Sequence, residues 1–237
     1  AVAEGQLAAG RPDFAEVTVA LIEAPHERLL TLVSTAHSYL AFGYDEVAHG
    51  LALEAERLAQ SITAELFREW ALSEMASLMA AVGEGAKANT MIAQIGSAKS
   101  RVQAMCNIVI AELRAGREER ARQTLEIART TMAAILRPQE RQQARACLAS
   151  SYAAMAEFDE ALKQARGIEF GYTHSFVINR IVLAMARNGD TAKAIDLAET
   201  IPDDKLRIST FVAMSGIARK RGNAEAAAHA LAAYEKI

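Results

Sequence analysis

One internal regularity constrains the fold of this chain more than any other feature: a turn residue is followed five positions later by alanine, seven times over. Six of the turn residues are glycine and one is alanine, and successive turns are separated by 33 or 40 residues. Repeat periods of this size are typical of stacked helical hairpins. The spacing therefore predicts an all-α fold. The seven pairs are Gly10/Ala15, Gly43/Ala48, Gly83/Ala88, Gly116/Ala121, Ala156/Ala161, Gly189/Ala194 and Gly222/Ala227.

Each repeat, aligned on its turn residue, contains the pattern of two helices. Large apolar and small residues recur 11, 8, 7 and 4 positions before the turn, and these steps of three and four indicate an amphipathic first helix. The alanine after the turn marks the tightest crossing point on the second helix. Isoleucine stands twelve positions after the turn in four of the repeats, and a Gly or Pro follows within a few residues, so we expect the second helix to end there. These isoleucines are Ile22, Ile95, Ile168 and Ile201.

The two kinds of spacing predict a difference in helix length. The steps of 40 residues follow Gly43 and Gly116, and they exceed the shorter steps by seven residues. Seven residues are about two helical turns, so their insertion nearly preserves which face of the helix is apolar. We therefore expect the second helices after Gly43 and Gly116 to be about two turns longer than the others.

Two segments carry a recognisable version of the repeat. Residues 149–162 read ASSYAAMAEFDEAL, and residues 40–48 are similar around Gly43. They resemble the tetratricopeptide repeat family in their apolar, small and aromatic order, their turn and their fixed alanine. The resemblance extends over nearly the whole chain and implies a right-handed α-solenoid of about six to seven helix-turn-helix repeats, forming one domain over residues 1–237. The family's closing proline is missing or displaced, so we describe the chain as tetratricopeptide-like, and other helical hairpin repeats remain open.

The start of the chain falls inside a repeat. Only nine residues precede the turn at Gly10, and the first residue is Ala1. We expect the sequence to be part of a longer or processed protein. A shortened capping helix is the alternative explanation.

Composition narrows the classes of partner. The net charge is −3, and no basic cluster of the kind that binds nucleic acid is present. No apolar run approaches the length of a membrane span. The chain has two cysteines, Cys106 and Cys147, for which we expect reduced thiols rather than a disulfide. Two cysteines do not identify the compartment.

The sequence contains no set of residues with the spacing of a known catalytic or cofactor-binding motif. The glycine-containing segment at residues 83–90 lacks the Gly-Lys-Ser/Thr of a phosphate loop and coincides with a repeat turn. The five histidines show no metal-binding spacing, and no Cys-x-x-Cys occurs. No serine stands in a nucleophile elbow. We therefore predict a non-enzymatic protein without a cofactor or metal.

A second regularity concerns charge, and we call it the arginine register: the residue fifteen positions before each turn is arginine in five of six repeats. We expect these guanidinium groups to bond the last carbonyls of the preceding helix. Pairing with Glu23, Glu65, Glu140 or Asp203 is a second possibility. A ladder that recognises an acidic ligand is the functional alternative. The register consists of Arg28, Arg68, Arg101, Arg141, His174 and Arg207.

The resemblance also implies a binding surface, because first helices line the concave face of tetratricopeptide-like solenoids. The lining positions are rich in small and apolar residues, with Trp70 and Phe176 as expected anchors for an amphipathic helix or an extended apolar segment. Self-association and the filling of a tightly wound superhelix are the alternatives. The candidate residues are Leu30, Val33, His37, Trp70, Ser73, Cys106, Ile110, Gln143, Phe176, Asn179 and Leu183.

These features together predict a protein-interaction scaffold or adaptor that binds a peptide or protein segment. The lysine and asparagine clamp by which some tetratricopeptide proteins hold a C-terminal carboxylate is not visible at the lining positions, which argues against an adaptor of that kind. A ligand-responsive sensor and a structural subunit of a larger assembly are the alternative functions. Fold by itself does not decide among them.

Overall fold

The computed structural model describes Gly5 and residues 17–62, 65–169 and 171–234, and within these residues it contains helices and no strands. From Pro25 onward the described residues form twelve α-helices and one 3-10 helix, which confirms the all-α prediction. The α-helices are α1 (Pro25–Ala41), α2 (Asp45–Ser61), α3 (Glu65–Ala81), α4 (Gly85–Gln94), α5 (Ala98–Arg114), α6 (Glu118–Thr131), α7 (Pro138–Ala154), α8 (Phe158–Arg166), α9 (Tyr172–Asn188), α10 (Thr191–Glu199), α11 (Asp204–Lys220) and α12 (Ala224–Tyr234).

The odd-numbered helices are the first helices of the hairpins, and each has 17 residues. The even-numbered second helices vary in length. Helix α2 has 17 residues, and α6 has 14 followed by the 3-10 helix Met132–Ala134, whereas α8 and α10 have 9 each. The extra seven residues therefore lengthen the second helices after Gly43 and Gly116, as predicted, because an insertion of about two turns keeps the apolar face in place.

The predicted turn residues adopt the left-handed conformation in all six turns that the structure describes. Their φ angles lie between 59° at Ala156 and 105° at Gly189. The amide of the following residue donates to a carbonyl in the last turn of the first helix, as in Tyr44 N to Tyr39 O at 2.9 Å. This is the Schellman arrangement that ends many helices, and it explains the preference for glycine. The pair Gly10/Ala15 lies outside the described residues.

The alanine five positions after each turn is buried in every described repeat. Ala48, Ala121, Ala161 and Ala194 have no exposed surface, and the two others are almost fully buried. A side chain without a γ-carbon allows the second helix to approach the first closely at this point. The isoleucines near the second-helix ends are also buried, as at Ile95 and Ile201, which closes each hairpin with an apolar contact.

The described helices fall into two compact units. The N-terminal unit covers Ala1–Thr131 and the C-terminal unit covers Met132–Ile237. In the N-terminal unit α1 packs on α2, α3 on α4 and α5 on α6, and the first helices α1, α3 and α5 contact one another in order. The C-terminal unit repeats this scheme with α7 to α12, its first helices being α7, α9 and α11. Each second helix except α6 and α12 also contacts the next first helix in its own unit.

Candidate functional site

The first-helix face is defined here as the residues of a first helix that stand 17, 13, 10, 9, 6, 3 and 2 positions before its turn. These positions lie within about 120° of one another around a helix, so they share one side. In the N-terminal unit Leu30 is exposed, and His37, Trp70 and Ile110 are half-buried. Their side chains are therefore accessible to a partner. Trp70 is not enclosed between the helices of its own hairpin.

Three of the predicted lining residues in the N-terminal unit are buried. Val33, Ser73 and Cys106 lie ten positions before their turns, and each exposes less than a tenth of its surface. Position ten thus serves packing between neighbouring first helices in this unit, where small and β-branched residues fit. The open part of the face begins one helical turn toward the N-terminus, at Leu30 and Trp70.

In the C-terminal unit the four predicted residues are all accessible. Gln143 and Phe176 are exposed, and Asn179 and Leu183 are half-buried. The ring of Phe176 is stacked on Tyr172, with centroids 6.3 Å apart and an interplanar angle of 20°. The guanidinium of Arg180 lies 5.9 Å from the Phe176 centroid. Tyr172 and Arg180 were not among the predicted site residues, although their spacing of four residues on either side of Phe176 is the signal that could have identified them.

Two ionisable groups on the first-helix face of the N-terminal unit have shifted pKa values. Burial lowers the pKa of His37, and the positive charge of Arg114 on α5 lowers it further. Burial raises the pKa of Glu74 on α3. The effect of the Arg114 charge on His37 indicates that the two side chains, on α1 and α5, lie within electrostatic reach of each other.

The arginine register proves to be structural in three of its members. Arg101 Nη1 donates to the carbonyls of Ile95 and Gly96 at 2.8 and 2.9 Å. Arg141 donates twice to the carbonyl of Ile135, and Arg207 donates to that of Ile201 at 2.7 Å. The arginine thus bonds the residue six positions earlier, where the preceding second helix has just ended. The carbonyl of a helix C-terminus is a favourable site for a cation.

Two members of the register depart from the prediction. The guanidinium of Arg28 pairs with Glu54 on the following helix α2 at 2.5 Å, and not with a preceding carbonyl or with Glu23. Arg68 is exposed and makes no hydrogen bond to the described residues. The predicted pairings with Glu140 and Asp203 are also wrong. Glu140 pairs with Arg137 and not with Arg141, and Arg207 pairs with Asp204 and not with Asp203.

Asp203 has a different function from the predicted pairing. Its carboxylate accepts a hydrogen bond from the Leu206 amide at 2.7 Å and so caps the N-terminus of α11. Side-chain oxygens at this position commonly satisfy the free amides of the first helical turn. The Glu65 side chain lies outside the described residues.

Two concave spaces lie between successive second helices, one in each unit. In the N-terminal unit a groove of about 630 Å³ separates α2 from α4 over a floor on α3 formed by Ala71, Leu72 and Met75. An ion pair spans this groove, with Lys87 Nζ on α4 lying 3.1 Å from Glu56 Oε2 on α2. A groove of about 520 Å³ separates α8 from α10 in the C-terminal unit, with Asp159 and Asp196 among its lining. Neither groove is predictable from the sequence, because each depends on how far apart the second helices lie.

Other chemistry is limited in the described residues. They contain no group of three or more His, Cys, Asp or Glu side chains placed to hold a metal ion. No disulfide joins Cys106 and Cys147 in the described residues, in line with the expected thiols. Among the described helices, none is both long and apolar enough to cross a membrane.

Comparison with known proteins identifies no family. No family model matches the chain, and no curated protein matches it in sequence. Among solved structures, the crystal structure of Ton1535 from Thermococcus onnurineus NA1 is similar at a TM-score of 0.40 and 12% identity, over 98% of this chain and 97% of that one. This likeness is too weak to assign a fold or a function.

Proposed function

We propose that this protein is a tetratricopeptide-like interaction scaffold, whose hairpins form a right-handed α-solenoid and bind a peptide or protein segment along the first-helix face. Within each unit the first helices contact one another in succession, whereas a groove separates the second helices α2 and α4, and another separates α8 and α10. This pattern supports curvature with the first helices on the inner side.

The observation that carries the proposal is the exposure of large apolar side chains on the first-helix face. Leu30, Phe176 and Val212 are exposed there, and Trp70 is half-buried. Large side chains that a partner can desolvate contribute most to binding energy in protein interfaces. These four residues stand 13 or 10 residues before their turns, so two first helices of each unit carry one on the same face, as an extended peptide or helix requires.

The test is a selection of binders from a random phage-displayed peptide library against the full chain, followed by binding measurements with the enriched peptides. Leu30→Glu and Phe176→Glu should each weaken the peptides that contact their unit by about tenfold or more. Leu53→Glu is the matched control, because Leu53 is a similarly exposed leucine on the second helix α2. Selection of no peptide, or equal losses in Leu53→Glu, contradicts the proposal.

Self-association is the competing use of the same face. Sedimentation velocity of the full chain over a range of concentrations distinguishes self-association from peptide binding. If the face self-associates, Phe176→Glu should shift the chain from dimer to monomer. A single monomeric species for both the unmodified chain and Phe176→Glu favours the scaffold.

A further inference from the structure

We propose that the first-helix face of the C-terminal unit binds a peptide segment that is acidic and carries apolar side chains. This inference rests on the proposed scaffold function and specifies the chemistry of the partner. The face is formed by α7, α9 and α11. The chain as a whole has a net charge of −3, whereas this face is positively charged. The face also carries a pair of aromatic side chains and an exposed glycine.

The charge of this face is uniformly positive. The positions that form this face, taken over the three helices, hold five cationic residues and no Asp or Glu. All five are exposed, and in the described part of the chain none of them takes part in an ion pair. A face with charges of one sign and no ion-pair partners of its own attracts an oppositely charged segment and speeds its association. The five cations are Arg180, Arg187, Lys205, Arg219 and Lys220.

Exposed apolar surface lies among these cations. The described residues of the C-terminal unit have four exposed large apolar side chains, and three of them are on this face. Tyr172 is 78% exposed, Phe176 43% and Val212 54%. Tyr172 and Arg180 both lie against the Phe176 ring. Since these neighbours occupy the space beside the ring, its free edge suits an apolar side chain better than a stacked nucleobase.

The exposed glycine at position 216 supports close approach by a partner. Gly216 stands in the interior of α11, on the face between Val212 and Arg219, and an added Cβ there meets no atom within 4 Å. No contact within the chain therefore requires glycine at this place, although glycine is unfavourable inside a helix. The absence of a side chain leaves a flat site where the backbone of a bound segment can lie.

The experiment uses peptides enriched from the random library on the full chain, with single-stranded oligothymidylate as a second probe. We expect the enriched peptides that respond to Phe176→Glu to be rich in Asp and Glu, with aromatic or aliphatic residues between them. Their affinity should fall steeply with salt, because exposed charges are screened. Oligothymidylate should bind more weakly than the peptides.

Gly216→Leu should weaken these peptides by about tenfold or more through steric exclusion, with unchanged circular dichroism. Gly50→Leu is the matched control, since Gly50 is an exposed glycine inside α2 that also has open space at its Cβ. Arg180→Glu together with Arg187→Glu should cause a similar loss.

The outcomes separate the two proposals. Enriched peptides that are neutral or basic, or that bind Gly216→Leu and Gly50→Leu equally, overturn the acidic-segment inference and leave the scaffold function intact. Selection of no peptide overturns both. Tighter binding of oligothymidylate than of any peptide replaces the inference with a nucleic-acid surface.

Discussion

The guanidinium of Arg141 donates two hydrogen bonds to the backbone carbonyl of Ile135, from Nε at 3.0 Å and from Nη2 at 2.7 Å. Ile135 is buried at the end of the second helix of one hairpin, and Arg141 belongs to the first turn of α7. The same relationship joins Arg101 to Ile95 and Arg207 to Ile201. The isoleucine and the arginine six positions later thus form one structural element that fixes the short segment before each of these first helices.

Removal of the Arg141 side chain should lower stability without affecting peptide binding. Hydrogen bonds from a charged donor contribute about 1.5–3 kcal/mol, so Arg141→Ala should reduce the free energy of unfolding by about that amount. Arg137→Ala is the control, because its side chain is 79% exposed and its ion pair with Glu140 is at the surface. Such a pair contributes at most about 1 kcal/mol. Equal urea denaturation midpoints for the two variants contradict the structural role.

The buried alanines of the second helices should not accept larger side chains. Ala194→Leu forces extra volume into the crossing of α9 and α10, which should cost about 1–3 kcal/mol. Ala192→Leu changes an exposed alanine two residues away on the same helix and should be nearly neutral. Thermal melting of both variants compares them directly, and the proposed crossing is wrong if they melt alike.

Ala156 is the one non-glycine residue with a positive φ among the described residues, at 59°. A side chain in the left-handed region costs about 1–2 kcal/mol, and Ala156→Gly removes this cost. Part of the gain is offset because glycine has more conformational freedom in the unfolded chain. Ala156→Gly should therefore stabilise the C-terminal unit by about 0.5–1 kcal/mol. Ala146→Gly, inside α7, should instead destabilise it. Chemical denaturation with the same probe measures both changes.

Glu112 on α5 is buried and forms an ion pair with Arg117, which also donates to the Ala81 carbonyl at 3.1 Å. Arg117→Ala leaves a buried carboxylate without its partner and should cost about 3–5 kcal/mol. The residue at the position of Glu112 is methionine in two other repeats, at Met79 and Met185. Adding Glu112→Met to Arg117→Ala should recover most of the lost stability. A double variant as unstable as the single one argues against this explanation.

His37 should titrate below the ordinary histidine value of about 6.5, because burial and Arg114 both lower its pKa. Between the folded pKa and about 6.5 the unfolded chain binds more protons, so the free energy of unfolding rises with pH through that window. His37→Gln should remove this slope. In an NMR titration, Arg114→Gln should raise the His37 pKa, whereas Arg120→Gln, exposed on α6, should leave it unchanged. No change in Arg114→Gln contradicts the approach of the two side chains.

The local geometry of the hairpins could be read from the sequence alone. The left-handed turn favours glycine through its own backbone sterics, and the buried alanine marks a crossing at a fixed distance along the chain from that turn. Each of these constraints acts within about ten residues, so a spacing is enough to detect it. The longer helices α2 and α6 follow for the same reason, because seven residues are about two helical turns. The same arithmetic places Ile62 and Ile135 at the ends of these helices, in the role that the other isoleucines have after shorter ones.

The candidate site depended much more on tertiary structure. Position ten before the turn is buried at Val33, Ser73 and Cys106 but exposed at Val212, and the repeat pattern is the same in all four. The difference arises from how closely neighbouring first helices pack, which is a property of residues far apart in sequence. Likewise the partner of Arg28 is Glu54, 26 residues away, because the side chain reaches whichever acceptor the packed second helix presents. Sequence spacing determined the hairpins of this protein, and packing between hairpins decided which of their side chains remain free to meet a partner.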